Sequence, residues 1–277
     1  MLTGCSENNS ENIVETPATE FAFSVNGTPI EQTFTHASKK SHIMHIGTDR
    51  DDTPFSISFD EDGHFGKIIF RYYEFDGSFK TFSTFRDFSS NYFNFQLISF
   101  DEVNKRVKGN FSGNIYYDPS DLNSEAKYIS GSFNLPYEDY IPPVANIINQ
   151  ATINNVDWRS TNQYQTRYVG EDYHNIALHE VNDDAYKIMI FFNDSETLPG
   201  VYNFSSSDLI NKVEFAQYNI STSSYTVYNC TGTLSITKKW GSLIQGTYHF
   251  TGFNPSDPSD VITVENGNFK LGYNPYN

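Results

Sequence analysis

The chain has 277 residues, a formal net charge of −16 at pH 7 and a pI near 4.7. So acidic a chain lacks the basic surface that phosphates require, which excludes nucleic acid as a partner and excludes docking on anionic lipid through the protein surface. Charged residues make up only 19% and aromatic residues 16%. This composition is typical of strands that pack one face and expose the other.

The N-terminal residues Leu2-Thr3-Gly4-Cys5 resemble a bacterial lipobox, and a polar run without hydrophobic periodicity, Ser6 to Thr19, follows them. The resemblance implies that Cys5 is the lipid-attachment residue and that the polar run is a flexible tether. A signal peptide needs an apolar segment of about 7 to 15 residues, so we expect one upstream of this start. Acyl chains on Cys5 would give a stable membrane anchor.

The residues directly after Cys5 resemble the signals that carry Bacteroidetes lipoproteins to the cell surface; they include Ser6, Glu7, Ser10 and Glu11. We therefore expect a lipid-anchored outer-membrane protein on the cell surface, with the periplasmic face as the alternative. Acylation of Cys5 leaves Cys230 without a disulfide partner. Because no activating neighbour stands beside Cys230 in the sequence, we predict a small buried thiol there.

Two glycine-rich segments repeat each other along the chain. Gly109 and Gly131 are 22 positions apart, and Gly246 and Gly267, in similar aromatic surroundings, are 21 apart. Between the repeats lies Pro136 to Pro143, where consecutive prolines cannot donate hydrogen bonds to a sheet. The repetition predicts a tether at residues 1–19, β domains at 20–136 and 151–277, and a linker at 137–150. A short helix over Val144 to Ala151 and an extended linker are equally compatible with the pattern.

Alternation of apolar and polar residues predicts half-buried strands at Phe55 to Phe59, Phe93 to Leu97 and Leu234 to Thr237. Tyr186 to Phe192 is more uniformly apolar and predicts a more buried strand. Hairpin turns are expected at Asn26-Gly27, Asp60 to Gly63, Asp76-Gly77, Pro199-Gly200 and Asn266-Gly267. The predicted fold class is all-β, with two tandem antiparallel meander domains of seven to nine strands each. Lipocalin-like barrels are favoured over β-sandwiches, and the paired glycines near the last strands favour bulges or tight bends.

The repeated endings Ile129 to Asn134 and Val264 to Lys270 each follow a strand that begins Gly-x-aromatic. Together with the lipobox, they resemble a group of Bacteroidetes outer-membrane lipoproteins of unknown function with repeated Gly-rich β domains. The resemblance covers both halves and implies a location but no activity. Cys5 is the one functional residue that it carries over.

The sequence holds no catalytic motif: it has neither a Gly-x-Ser-x-Gly elbow nor a phosphate-binding Gly-x-x-x-x-Gly-Lys. His174 and His179, like His42 and His45, are an odd number of residues apart, so on strands they point to opposite faces and form no zinc pair. A zinc site assembled from His36, His42 or His64 is a less favoured alternative. We expect no catalytic residue, no metal and no cofactor.

Acidic clusters offer two further alternatives. The run Asp60-Glu61-Asp62-Gly63 has Arg71 where a calcium-binding EF-hand needs glutamate, so a simple hairpin turn is preferred. Glu171-Asp172 and Asp183-Asp184 are carboxylates of the kind that a glycan hydrolase uses. On so acidic a chain, solvated side chains are the preferred interpretation.

Aromatic residues carry the functional hypothesis. In the pairs Tyr72-Tyr73 and Tyr116-Tyr117, one ring should face away from the core of its own domain. Such an outward ring could stack on a sugar or anchor a protein, but we prefer the interpretation that it covers the seam between the two domains. With Trp158 and Trp240, these residues favour a lipid-anchored binding or scaffold protein without catalysis, recognising a polysaccharide, small ligand or protein partner. The alternatives are an accessory subunit of an outer-membrane complex and a glycan hydrolase.

Overall fold

The computed structural model describes residues 18–32, 34–47, 54–73, 78–140, 148–170 and 173–275. Strands account for 69% of the structure and helices for 2%, which confirms the predicted all-β fold. Within these ranges, no helix is long and apolar enough to cross a membrane. The lipobox with Cys5, the Asp76-Gly77 turn and the Glu171-Asp172 pair lie outside the described residues.

The described residues before position 141 form ten strands and one short helix. They are β1 (Glu20–Val25), β2 (Thr28–Ile30), β3 (Ala37–Lys40), β4 (Ile43–Gly47), β5 (Phe55–Asp60), β6 (Phe65–Tyr73), β7 (Phe79–Ser83), α1 (Ser89–Tyr92), β8 (Phe93–Asp101), β9 (Arg106–Tyr116) and β10 (Ala126–Asp139).

The described residues after position 147 form eleven strands. They are β11 (Ile148–Ile153), β12 (Val156–Arg159), β13 (Asn162–Gly170), β14 (Tyr173–Val181), β15 (Tyr186–Asn193), β16 (Gly200–Ser205), β17 (Lys212–Asn219), β18 (Ser224–Val227), β19 (Asn229–Trp240), β20 (Leu243–Asn254) and β21 (Asp257–Gly272).

The first ten strands form one sheet in the order β2-β1-β10-β3-β4-β5-β6-β7-β9-β8, and β9 also pairs with β10. The ladder from β10 through β3 to β7 and β9 therefore returns to β10. The long strand β10 makes this possible, because its first part pairs with β1 and Tyr137–Asp139 pairs with β3. The β10–β3 pairing is parallel, which departs from the predicted antiparallel meander.

The later strands form two sheets that share one core. The orders are β12-β11-β21-β20-β19-β16 and β13-β14-β15-β17-β18. The core holds side chains from both sheets, among them Leu178 and Phe192 of the second and Tyr248 and Phe269 of the first. The choice between barrels and sandwiches stays a prediction.

The sheet pairing confirms the internal repeat, since β2-β1-β10-β9-β8 and β12-β11-β21-β20-β19 have the same order. Each repeat sets aromatic residues opposite glycines on the neighbouring strand: Phe133 on Gly109, Phe111 on Gly131, Phe269 on Gly246 and Tyr248 on Gly267. A Cβ atom on Gly267 would stand 2.3 Å from the Tyr248 ring. These glycines leave the space that the facing rings fill.

Several local predictions are confirmed. Asn26 and Gly27, both at positive φ, form the β1–β2 turn, and Asp60 to Gly63 connects β5 to β6. Phe93 to Leu97 and Leu234 to Thr237 lie in β8 and β19 and bury alternate residues. Tyr186 to Phe192 lies in the largely buried strand β15.

Other local predictions are wrong for identifiable reasons. Asn266-Gly267 lies inside β21, where a register shift against β20 marks a bulge rather than a turn, as the paired glycines suggested. Pro199-Gly200 leads into β16, which pairs with β19 and not with the preceding strand. Of the two alternatives for Val144 to Ala151, the helix is wrong at Ile148–Ala151, since β11 pairs there with β12 and β21. Strand β10 also continues through Asp139, into the expected linker.

Strand β5 departs from the half-buried strand predicted at Phe55 to Phe59, because both of its faces are covered. The apolar face carries Phe55, Ile57 and Phe59, and the polar face carries Ser56 and Ser58, yet every one of these side chains is buried. The segment after β12 supplies the second cover. A Cβ atom on Gly66, beside Ser58, would stand 3.0 Å from the Thr161 carbonyl oxygen. The second half therefore packs directly against this sheet.

Candidate functional site

The outer face of the sheet β13-β14-β15-β17-β18 packs on the first half of the chain, and we call this contact the seam. Phe85 and Tyr116 form a buried cluster there with Tyr218 of β17. The hydroxyl groups of Tyr92 and Tyr218 lie 3.2 Å apart. Tyr116 is 6% exposed and belongs to this cluster rather than to the core of its own half, whereas Tyr117 is 55% exposed. Tyr116 therefore faces away from that core, as expected, but the prediction of one inward ring is wrong for this pair. Tyr116 covers the seam, as we preferred.

Hydrogen bonds fasten the two halves beside this cluster. The Thr161 hydroxyl donates to the Phe65 carbonyl at 3.0 Å, and the Phe65 N–H donates to Oδ2 of Asp183 at 3.1 Å. Ser90 donates from its N–H and from its hydroxyl to the Asp183 carbonyl. The first residue of β6 is thus held between two segments of the second half.

A cavity of about 280 Å³ opens at the seam, and we call it the junction cavity. One side comes from the β3–β4 hairpin, β5 and β6, and the other from the segment between β12 and β13, β14 and the end of β21. Most of the residues that line it are polar, although their apolar atoms form the larger part of its wall; they include Lys40, His42, Lys67, Ser160, Thr161 and Glu180. The cavity therefore exists because the two halves meet.

Glu180 is the most unusual residue in this lining. It lies in β14 on the same face as Ile176 and Leu178, whose side chains pack in the second core. It is only 1% exposed, and its Oε1 atom has no hydrogen-bond partner among the described residues. Burial raises the pKa of Glu180 to about 8, against a smaller opposing effect of a hydrogen bond with Ser160. At neutral pH the carboxyl group is mostly protonated, since desolvation disfavours the charged form.

A buried polar network continues from Glu180 into the second core. The charge of Glu180 would act on the nearby Tyr248, whose pKa is raised mainly by its own burial. The Tyr248 hydroxyl donates to Oδ1 of Asn149 at 2.7 Å, while Nδ2 of Asn149 has no partner among the described residues. The Asn149 carbonyl accepts the N–H of Ser160 at 2.9 Å. These contacts connect Ser160 to Tyr248 through Asn149.

His42 and His45 both line the junction cavity, so the prediction that they point apart is wrong. The argument assumed a strand, but His42 lies in the turn that precedes β4. Nε2 of His42 lies 3.2 Å from the Ser160 carbonyl. Burial, which is the main cause, lowers the pKa of His42. His42 is therefore neutral at pH 7.

Asp60, Asp62 and His64 form a second polar cluster, with potential ligand atoms within 4.8 Å of one another. Asp60 is fully buried and accepts hydrogen bonds from the N–H groups of Asp62 (3.0 Å) and His64 (2.8 Å). Its Oδ2 lies 2.9 Å from Nδ1 of His64, and this hydrogen bond is the main reason that the pKa of His64 rises to about 9. Both oxygens of Asp60 thus serve the predicted hairpin turn. Among the described residues, His36, His42 and His64 form no common group of ligands.

Carboxylates do converge near this turn, as a hydrolase would require. Burial raises the pKa of Asp184 to about 6 and also raises that of Asp183. Each of them accepts a backbone N–H, from Phe65 for Asp183 and from Tyr186 for Asp184. Arg159 lies 3.6 Å from carboxylate oxygens of both Glu61 and Asp62. These contacts account for the acidic residues as structural parts of the seam.

His179 lies on the face of β14 opposite Glu180. Its ring stacks on Tyr164 with centroids 4.4 Å apart, and neither ring nitrogen has a partner within the described structure. Burial lowers the pKa of His179 to about 3 and that of the nearby Lys187 to about 8. Nζ of Lys187 lies 3.4 Å from the centroid of the Tyr225 ring. The charge of Asp87 acts on this ammonium group in the opposite direction, but its effect on the pKa is smaller than that of burial. The side chain of His174 lies outside the described structure.

The remaining predicted residues separate into core and surface. Cys230 is 1% exposed and its pKa is raised to about 11 by burial, so the predicted buried thiol is confirmed. Trp158 packs in the second core, whereas Trp240 is 41% exposed. Tyr72 and Tyr73 are both exposed because β6 ends there, so the prediction of one inward ring is wrong for this pair.

Comparison with models of known protein families, with curated proteins and with solved structures finds no match. The junction cavity is therefore interpreted from its own geometry.

Sequence reasoning missed Glu180 although a signal was present. Ile176 and Leu178 alternate with smaller or polar residues, and Glu180 occupies the next position on the same face. A carboxyl group at a position that strand alternation assigns to the core marks a site of special chemistry.

Proposed function

We propose that the chain is a non-catalytic binding protein of the cell envelope, lipid-anchored at Cys5, that holds a small polar ligand in the junction cavity. The unpartnered Oε1 atom of Glu180 is the observation that carries the proposal. A buried polar atom takes its hydrogen bond from water or from a ligand, because leaving it unmatched costs about 1–3 kcal/mol. A ligand that satisfies this atom gains affinity from it.

The size and lining of the cavity support a small ligand. Ligand pockets usually measure about 300–1,000 Å³ and place a few polar groups among apolar walls. At about 280 Å³, the junction cavity suits a molecule of the size of one sugar ring. Ser160 and Thr161, from the segment between β12 and β13, line it together with Glu180 of β14.

The cavity's chemistry favours binding over hydrolysis. Glycosidases flank the scissile bond with two carboxyl groups, whereas Glu180 is the one acidic side chain in the described lining. Asp183 and Asp184 are engaged by backbone N–H groups. A glycan hydrolase at this cavity would lack its second carboxylate.

A thermal-shift screen tests the binding proposal. The panel contains galactose, galacturonate, glucosamine and inorganic phosphate. We expect at least one compound to raise the melting temperature of the wild-type protein and of Asn94→Trp, which alters an exposed residue of β8. Asn162→Trp, which places an indole in the cavity lining, should abolish the shift. A panel without any shift, or a shift that survives Asn162→Trp, contradicts the proposal.

Membrane anchoring needs a separate experiment. Cells that express the protein behind a lipoprotein signal peptide are labelled with a palmitate analogue and then treated with protease. We expect label on the wild-type protein, none on Cys5→Ala, and loss of the protein from shaved intact cells. Unlabelled wild-type protein would refute the lipid anchor, and protection from protease would favour the periplasmic face.

A further inference from the structure

We propose that the outer edge of β8 pairs with the same edge of a second copy of this chain, so that two ten-stranded sheets join across a twofold axis. The inference goes beyond the binding function and does not depend on the junction cavity. It follows from the internal repeat, because the second half covers the corresponding edge with an additional strand and the described residues of the first half do not.

Strands β8 and β19 occupy the same place in the two repeats. Leu97 of β8 lies opposite Gly109. Ile236 of β19 lies opposite Gly246, which is the matching glycine of the second repeat. A register shift follows directly after Leu97 in β8 and after Ile236 in β19. The facing glycines and the bulges therefore give the same alignment of the two strands.

Strand β16 covers the outer edge of β19 and pairs with it as far as the bulge. Under this cover, Leu234 is 0% exposed and Ile236 is 1% exposed. In contrast, β8 is the last strand of its sheet, and no strand among the described residues pairs with its outer edge. The corresponding residues Phe95 and Leu97 are only partly buried. An additional strand on β8 would cover them as β16 covers their counterparts.

The edge of β8 lacks the charges and prolines that protect exposed sheet edges from pairing. The segment Phe93 to Phe100 contains neither a charged residue nor a proline. Its bulge at Ile98 leaves Phe93 to Leu97 in regular register. Asn94 and Gln96, whose side chains point away from the core, are exposed and neutral. This regular, uncharged stretch is a template on which another strand can pair.

A second β8 strand has the pattern that this edge requires. Strand β16 brings Tyr202-Asn203-Phe204 to β19, with aromatic residues on either side of an asparagine. Strand β8 begins with the same pattern, Phe93-Asn94-Phe95. Antiparallel pairing centred on Phe95 would set Phe93 opposite Leu97 of the second copy and would bring the two Phe95 rings side by side. One copy of β8 can therefore cover the other as β16 covers β19.

The dimer should be weak in dilute solution. A contact of one short strand with another belongs to the small interfaces, below about 1,200 Å², that form transient complexes. The proposed lipid anchor would favour pairing, because chains held on one membrane meet at a high effective concentration. Association that depends on protein concentration is therefore the expected behaviour.

Sedimentation equilibrium of the full chain in reducing buffer, from about 1 to 300 µM, tests this inference. We expect the average mass to rise from 31.6 kDa towards twice that value. In the twofold register, Asn94 lies opposite Gln96 of the second copy. Asn94→Lys combined with Gln96→Lys should weaken the dimer at least tenfold, since like charges face each other. Asn94→Lys combined with Gln96→Glu should retain it, since opposite charges face each other.

Thr233→Lys combined with Ser235→Lys is the matched control. These residues of β19 correspond to Asn94 and Gln96 but lie beside the edge that β16 covers, so the control should dimerise like the wild type. Circular dichroism checks that each variant is folded. A constant mass of 31.6 kDa for the wild type overturns the inference. A dimer that both double-lysine variants retain, or that both lose, overturns it as well.

A disulfide trap tests the register separately. In a Cys5→Ser background, an equal mixture of Asn94→Cys and Gln96→Cys should form more covalent dimer on mild oxidation than either variant alone. The reason is that these positions face each other across the axis, whereas each lies only diagonally from its own copy. Equal yields from the mixture and from the single variants would overturn the twofold pairing of β8.

Discussion

Replacing Glu180 with glutamine should stabilise the folded protein at neutral pH. Burial raises the pKa of Glu180 from 4.5 to about 8, so between these values the folded state keeps a proton that the unfolded state releases. Stability then falls as pH rises through this window, because the folded state binds more protons than the unfolded state. Glutamine keeps the shape of the side chain and holds no titratable proton.

The size of the effect follows from the pKa. Each pH unit above the pKa of the unfolded state lowers the free energy of unfolding by up to about 1.36 kcal/mol. Because Glu180 ionises in the unfolded state and stays protonated in the folded state, it lowers this free energy by about 1 kcal/mol at pH 5 and about 3 kcal/mol at pH 7. Glu180→Gln should recover most of this loss. The difference between variant and wild type should grow steadily up to pH 8.

Urea unfolding of the ligand-free protein, followed by circular dichroism at pH 5, 6, 7 and 8, measures this difference. Glu265→Gln serves as the control, because Glu265 is exposed on β21 and its replacement should change stability by less than about 0.5 kcal/mol. If Glu180→Gln proved no more stable than wild type at pH 7, or if the difference did not grow with pH, the assignment of a neutral buried carboxyl group would be refuted.

Three further predictions concern residues outside the cavity. His179→Phe keeps the stack on Tyr164 and removes a ring whose pKa is lowered to about 3. Wild-type stability should therefore fall as pH drops from 6.5 towards 3, and the variant should resist acid better in a circular dichroism titration; identical acid profiles would contradict this. Gly267→Ala drives a Cβ atom to 2.3 Å from the Tyr248 ring, whereas at Gly200 the nearest atom is 3.7 Å away. Thermal unfolding should show that Gly267→Ala lowers the free energy of unfolding by about 1–3 kcal/mol and that Gly200→Ala lowers it much less. Equal losses in the two variants would refute the packing argument. In a Cys5→Ser background, Cys230 should react with a thiol reagent only after unfolding, since it is buried with a raised pKa. Reaction of the native protein at the rate of a free thiol would contradict this.

The all-β class and the repeat were predictable because they rest on local signals. Alternating apolar residues and turn pairs such as Asn26-Gly27 act over a few residues, and the spacing of Gly109 and Gly131 recurs at Gly246 and Gly267. The structure explains this recurrence by aromatic rings that fill the space above the glycines. Asn266-Gly267 was misread because a bulge and a turn use the same residue types.

The junction cavity was not predictable, because its parts are distant in sequence. Its lining joins Lys40 and Lys67 of the first half to Ser160 and Glu180 of the second. Burial of the polar face of β5 depends on the same long-range contact. The alternation of residue types assigns a residue to a face of a strand but does not show what covers that face. For this reason Ser58 was expected to be exposed and His42 was expected to point away from His45. Glu180 alone left a local trace, as a charged residue in an apolar row.

The central claim, that the junction cavity holds a small polar ligand against the protonated carboxyl group of Glu180, is tested most directly by carbon-13 NMR of that carboxyl group. Its signal is assigned by its absence in Glu180→Gln and followed over pH with and without a saturating amount of the compound that raises the melting temperature. The account predicts a pKa near 8 in the free protein and a different pKa with the compound bound. A titration that the compound leaves unchanged would contradict it.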